Sequence, residues 1–161
     1  MTASRGRAAQ RQPVAVGGAS SAKGVRAPIL VDTGVLVALF DRLDPHHEAV
    51  ASWAARGDAA MLTVVPVLSE ASFFLPARLR ASLARLAAQE VLQLHHPDAS
   101  GYARIAQLFE KYADQNPDWA DMELVWLAES TGIARIATLD VADFSVYRIN
   151  GRKRFELELL R

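Results

Sequence analysis

From residue 28 onward the chain repeats one alternation: a short apolar run, a stretch with helical spacing, then another short apolar run. The runs are Ile29-Leu30-Val31, Met61 to Val65, Val91 to Leu94 and Ile133 to Leu139, with Phe155 to Leu160 as a candidate fifth. Such short runs, punctuated by Gly, Pro or Asp, read as strands. Between them, Val35 to Phe40 reads as a buried helix. Asp44-Pro45 reads as an N-cap followed by proline at the first position of a helix that reaches about Arg56. Pro66 opens another helix, ending near Pro76. Leu79, Leu83 and Leu86 mark an amphipathic helix with Arg78, Arg80 and Arg85 largely off its apolar stripe. Tyr102, Ile105, Ala106, Phe109 and Tyr112 keep helical spacing until Asn116-Pro117-Asp118 breaks it. Trp119 to Glu129 is apolar on most sides, the mark of a buried helix, and Gly132 is its natural stop. Short strands alternating with helices specify an α/β fold: a parallel sheet of four to five strands, covered on both faces, in three layers. Ligands of such sheets bind beyond the carboxyl ends of the strands.

A length of 161 residues suits one domain. Residues 1–27 stand apart, with Arg5, Arg7, Arg11, Lys23 and Arg26, no acid, and almost no large apolar side chain. They read as a disordered basic tail, and residues 28–161 as the domain. The tail lacks the apolar stretch of a secretory signal. From residue 28 the balance reverses to 13 basic against 18 acidic residues. That sign does not draw nucleic acid by bulk charge, so such a partner would need local basic patches or bound metal. The absence of cysteine excludes disulfides and thiolate metal sites and agrees with a cytoplasmic location. No apolar run approaches the roughly 18 residues of a membrane span, so no membrane partner is expected.

The chemistry resides in acids. Asp32 closes the first strand, and Asp140 the fourth with Asp143 three residues on. Glu70 falls in the early turns of the helix after the second strand, and Asp121 in the first turn after Asp118. Strand ends and the helix starts that follow them face one edge of the sheet, so four distant carboxylates converge there. Each has a plainer reading. A strand-terminal Asp is a common turn residue, and Asp118 with Asp121 resembles a capping pair. Glu70 is a lone acid among Val67, Leu68, Ala71, Phe73, Phe74 and Leu75, and an unpaired buried carboxylate is costly. A hard cation such as Mg²⁺ or Mn²⁺ accounts for all four acids together. Thr33 and Thr138 flank them, with hydroxyls placed either to orient water or carboxylates or simply to suit strand ends. His46-His47 and His95-His96 are adjacent pairs, which point about 100° apart on a helix and chelate zinc poorly. Trp53, Trp119 and Trp126 read as core rather than as stacking platforms.

The ordered set of motifs resembles the PIN-domain family, and within it the VapC-type toxin ribonucleases of type II toxin–antitoxin systems. The carrying segments are Val31-Asp32-Thr33-Gly34-Val35-Leu36-Val37-Ala38-Leu39, Asp44-Pro45-His46-His47-Glu48-Ala49, Leu68-Ser69-Glu70, Asp118-Trp119-Ala120-Asp121 with Leu127-Ala128-Glu129, and Thr138-Leu139-Asp140-Val141-Ala142-Asp143-Phe144. They span about residues 29 to 150. The resemblance implies a PIN-like, Rossmann-like sandwich and Mg²⁺- or Mn²⁺-dependent endonucleolytic hydrolysis of RNA. It implies Asp32, Glu70, Asp121 and Asp140 as catalytic and metal-holding acids, Asp143 as a further metal-site acid, and Thr33 as the hydroxyl after the first Asp. It also implies a cognate antitoxin and a homodimer. Met122-Glu123 stands where members often have small residues, a departure that bears on the rim of the site. Because the acids repel phosphate, Arg78, Arg80 and Arg85, or Arg148, Arg152, Lys153 and Arg154, are the candidate RNA contacts. Two other functions compete. A phosphatase with Asp32 as nucleophile would want a second Asp where Gly34 stands. A non-catalytic PIN-like module binding RNA or protein would not need all four acids.

Overall fold

The computed structural model describes residues 26–57 and 59–159, with only the backbone at Arg26 and Leu159. The expected tail lies, up to residue 25, outside the described residues. The elements run β1 (Arg26–Val31), α1 (Thr33–Phe40), α2 (His47–Ala55), β2 (Ala59–Val64), α3 (Val65–Phe74), α4 (Ala77–Ala88) and β3 (Leu92–His95). They continue with α5 (Ala99–Lys111), α6 (Trp119–Thr131), β4 (Arg135–Thr138), α7 (Val141–Val146), β5 (Arg148–Ile149), β6 (Lys153–Arg154) and β7 (Glu156–Leu159).

Five strands form one parallel sheet in the order β3-β2-β1-β4-β7. Ile29, Leu30 and Val31 are fully buried, as a central parallel strand covered on both faces requires. Leu30 lies between Leu62 of β2 and Ile136 of β4. The chain runs outward from β1 to β2 and β3, then returns to lay β4 on the other flank. The sheet therefore reverses direction beside β1, the place where open α/β sheets leave a crevice at their carboxyl edge. Helix α6 buries Met122, Leu124, Val125, Leu127 and Ala128, so it is enclosed as its apolar circumference demands. It ends at Gly132 with φ 75°, a left-handed residue suited to glycine.

Three local expectations change. β1 begins at Arg26, two residues before the expected boundary, and the Ala27 carbonyl accepts from Arg135 Nη1. The N-cap of α2 is His46, not Asp44. Asp44 instead closes a turn: its Oδ1 accepts the His46 amide at 2.8 Å and its carbonyl the His47 amide at 3.0 Å. Pro45 thus occupies the second position of a β-turn, where its fixed φ is equally at home. Finally, α7 and the β5–β6 hairpin fill residues 141–154, where no element is evident in the sequence. Among the described residues no helix is long and apolar enough to cross a membrane.

Candidate functional site

At the carboxyl edge, between β1 and β4, lies a cavity of about 600 Å³ lined by Asp32, Glu70, Asp118, Asp121, Asp140 and Asp143, with Thr33 and Gly34 beside them. All five acids expected from the sequence line it. Local chain logic places each one. Asp32 follows β1 and caps α1, its Oδ1 accepting the Thr33 amide at 2.6 Å. Asp140 follows β4 and caps α7, accepting the Asp143 amide at 3.0 Å. Asp121 lies in the first turn of α6, and Glu70 in the second turn of α3.

The two threonines hold carboxylates. Thr33 Oγ1 donates to Glu70 Oε2 at 2.8 Å. Thr138 Oγ1 donates to Asp32 Oδ2 at 2.7 Å and accepts the Asp140 amide at 2.9 Å. Thr138 is 1 % exposed and outside the cavity lining, so it acts on the site through Asp32 and Asp140.

Two participants go unrecognised in the sequence. Asp118 reads there only as a helix start. It does cap α6, accepting the Asp121 amide at 2.7 Å, but its carboxylate also lines the cavity. The capping pattern in Asp118-Trp119-Ala120-Asp121 is the signal that both acids share one helix end. Tyr147 is fully buried and donates its hydroxyl to Asp121 Oδ2 at 2.9 Å. No sequence signal marks it, because the contact spans two elements.

The electrostatics are those of crowded, poorly solvated acids. Burial, with smaller contributions from Asp118 and Glu70, pushes Asp32 up to about 6, against hydrogen bonds from Thr138 and Thr33. Burial and then the Asp118 charge push Asp121 up to about 8, although the Tyr147 hydrogen bond pulls the other way. Asp143 is raised by burial, Asp140 and Asp118. Tyr147 is raised by burial and by Asp121, so its hydroxyl stays a donor. None of the six acids pairs with a lysine or arginine among the described residues.

This donor set is all oxygen, which suits hard divalent ions such as Mg²⁺ and Mn²⁺. The raised Asp32 and Asp121 are what a bound cation would relieve. No three of the described acidic or histidine side chains converge on one point at ligand distance. Both oxygens of Asp32, and one each of Glu70 and Asp121, accept from protein donors. Asp118 and Asp140 are the more exposed acids of the set. The histidine pairs stay out of the site, and His47 Nδ1 is tied to the Ala38 carbonyl at 2.8 Å.

The expected basic clusters do not line the cavity. Arg80 donates to the Leu75 carbonyl and Arg148 to the carbonyls of Ser145, Val146 and Tyr147. Both are spent on chain ends. Arg78, Arg85, Arg152 and Arg154 are exposed, and Lys153 stands 3.8 Å from Glu156. Of the three tryptophans read as core, Trp53 is buried and Trp126 packs against the core, but Trp119 is 52 % exposed.

A parallel sheet in this order, with acids from β1, α3, α6 and β4 gathered at its carboxyl edge, defines an acid-site α/β domain. The family model described as "PIN domain" matches residues 29–149, and the chain belongs to that family. It is 29 % identical over 131 residues to Ribonuclease VapC26 of Mycobacterium tuberculosis, covering 79 % of this chain and 97 % of that protein. It also resembles the crystal structure of Mycobacterium tuberculosis VapC20, described as a sarcin-ricin loop cleaving toxin, with a TM-score of 0.62. That match is 19 % identical and covers 67 % of this chain and 86 % of the other; it carries the fold.

Proposed function

We propose that the protein is a divalent-metal-dependent ribonuclease of the VapC type, hydrolysing RNA phosphodiester bonds at the acid-lined cavity. The observation that carries this is the ring of carboxylates: Asp32, Glu70, Asp121, Asp140 and Asp143, joined by Asp118, with no basic partner among the described residues. Its membership of the PIN-domain family and its similarity to a named ribonuclease supply the substrate class.

Asp32, Glu70, Asp121 and Asp140 would hold Mg²⁺ or Mn²⁺, with Asp143 and Asp118 completing the negative field. Bound there, divalent ions would polarise the scissile phosphate and lower the pKa of the attacking water. The chain's own work is orientation. Thr138 fixes the Asp32 carboxylate, Thr33 fixes Glu70, and Tyr147 fixes Asp121, so the oxygens stay placed with little reorganisation during reaction. A non-catalytic RNA- or protein-binding module would gain nothing from burying two carboxylates at such cost. The wider reading includes a cognate antitoxin and a homodimer, tested by co-purification with the product of the neighbouring reading frame and by mass measurement in solution.

Purified protein is expected to cleave RNA with Mn²⁺ or Mg²⁺ and to stop in EDTA. Asp32→Asn should lower the rate by at least about two orders of magnitude, the scale of one preorganised electrostatic element. Full activity of that variant, or activity indifferent to EDTA, would refute the metal mechanism.

A further inference from the structure

Leu127-Ala128-Glu129 belongs to the ordered motif set, yet Glu129 does not line the acid cavity. It lies near the end of α6, the helix that carries Asp121 in its first turn. Its side chain is only 7 % exposed. Oε2 accepts from Arg104 Nε at 2.7 Å; Oε1 accepts from Arg104 Nη2 at 2.9 Å and from the Asn150 amide at 2.8 Å. One carboxylate thus joins α5, α6 and the turn after β5. That turn needs an anchor. Strands β5 and β6 have two residues each, and a lone hairpin is marginal in water.

The segment that leads into the turn begins at Tyr147, whose hydroxyl donates to Asp121 Oδ2. Residues 147–150 are therefore pinned along α6 at two points, Asp121 near its start and Glu129 near its end. The lengths agree. Eight helical steps rise about 12 Å, and three extended steps span about 10 Å. Between the pins the Tyr112 hydroxyl accepts the Arg148 amide at 2.9 Å, and the Tyr112 ring meets the Tyr147 ring edge-on at 5.1 Å. A buried carboxylate paired with arginine is a weak source of stability, because both charges lose water. What the planar, two-pronged contact supplies is a fixed orientation.

We propose that Glu129 is a positioning residue of the nuclease site, setting the Asp121 carboxylate through residues 147–150 and the Tyr147 hydroxyl. The proposal rests on the ribonuclease reading and adds a support some distance behind the acids. A phenol hydroxyl sits at the far end of a rigid ring, so it moves with its backbone. A slack Asn150 turn therefore draws the Tyr147 hydroxyl away from Asp121. Residues that orient a metal-holding carboxylate from behind tune the affinity for the ion.

The test uses Glu129→Gln, Tyr147→Phe and the double variant, with Mn²⁺ as the probe. Glutamine keeps the volume but has one acceptor oxygen where three N–H groups now converge. In metal-free Glu129→Gln the Asn150 amide should exchange with solvent faster than in the wild type. The Mn²⁺ Kd, read from the melting-temperature shift, should weaken about 2- to 30-fold, the range for coupling carried through a chain of contacts. Tyr147→Phe, which cuts the last link, should weaken it about 10- to 100-fold. In that background Glu129→Gln should add less than about 2-fold, because the path is already broken. In cleavage, kcat should follow the same order with KM for an RNA oligonucleotide little changed, since neither residue lines the cavity. Should Glu129→Gln fail to fold, Arg104→Gln alters the same contact from a side chain that is 36 % exposed, with the same pattern expected. If RNA is cut and Asn150 exchanges faster, yet the Mn²⁺ Kd and kcat stay at wild-type values, Glu129 only braces the hairpin; the proposal is overturned and the nuclease reading survives. Effects of Glu129→Gln and Tyr147→Phe that simply multiply would overturn it too, by denying a shared path. If the wild type cuts no RNA but the two residues act on Mn²⁺ binding as a coupled pair, the nuclease reading fails and the positioning stands.

Discussion

At the scale of single residues, the site is held in a costly state. Asp121 is pushed up to about 8 and Asp32 to about 6, from an ordinary 3.8, chiefly by burial. Between about pH 4 and pH 8 the folded protein keeps protons that the unfolded chain gives up. Stability therefore falls as pH rises through this window. Metal-free protein should show a melting temperature that declines from about pH 5 to about pH 8, and Asp121→Asn should flatten part of that slope. A melting temperature that climbs across the window would contradict the burial account. The same variant should melt at or above the wild-type temperature without metal, while its response to Mn²⁺ shrinks. An undiminished Mn²⁺ response would leave Asp121 as a helix-start acid and nothing more.

At the scale of elements, what was legible in the sequence followed periodicity and punctuation. Strands β1 to β4 declare themselves by the apolar runs that start at Ile29, Met61, Val91 and Ile133. Helix α6 declares itself by an apolar circumference between Asp118 and Gly132. The acids Asp32, Glu70, Asp121, Asp140 and Asp143 could be placed at one edge because strand ends and helix starts share it. What stayed hidden depends on packing between elements. Helix α7 has six residues and β5 and β6 two each, too short for any period to show. Tyr147 reaches Asp121 only because the chain after α7 returns beside α6, where β5 packs. Trp119 looks like core because an apolar neighbourhood does not reveal which residue sits at the rim. Helix packing also makes a prediction of its own. A Cβ at Gly101 in α5 would stand 2.7 Å from Pro97 Cβ and 2.9 Å from Trp126 Nε1 of α6. Neither ring yields easily, so Gly101→Ala should destabilise by about 1–3 kcal/mol, read by denaturant unfolding. A neutral or stabilising result would mean that α5 and α6 pack less tightly than described.

At the scale of the molecule, the folded unit includes Arg26 and Ala27, since Arg26 pairs with Ala59 and the Ala27 carbonyl is used by Arg135. Removing residues 1–25 should leave the melting temperature within error, whereas removing residues 1–27 should lower it. Equal melting of the two truncations would deny that first strand segment any role. Divalent metal should stabilise the whole: at 100 times its Kd a ligand of the folded form adds about 2.7 kcal/mol, several degrees for a domain of this size. The central place of β1 has one more consequence, in the order of synthesis. Thr138 and Asp32, which meet in the site, are 106 residues apart. A chain still emerging from the ribosome holds Asp32 and Glu70 long before it holds Asp121 or Asp140, and β1 waits with one flank unpaired until β4 arrives. A nascent fragment ending before α6 should therefore neither cut RNA nor gain stability from Mn²⁺. The potential to damage RNA is thus withheld until the segments carrying Asp121 and Asp140 are made, and a cell translating this message meets an assembled site rather than a partly armed one.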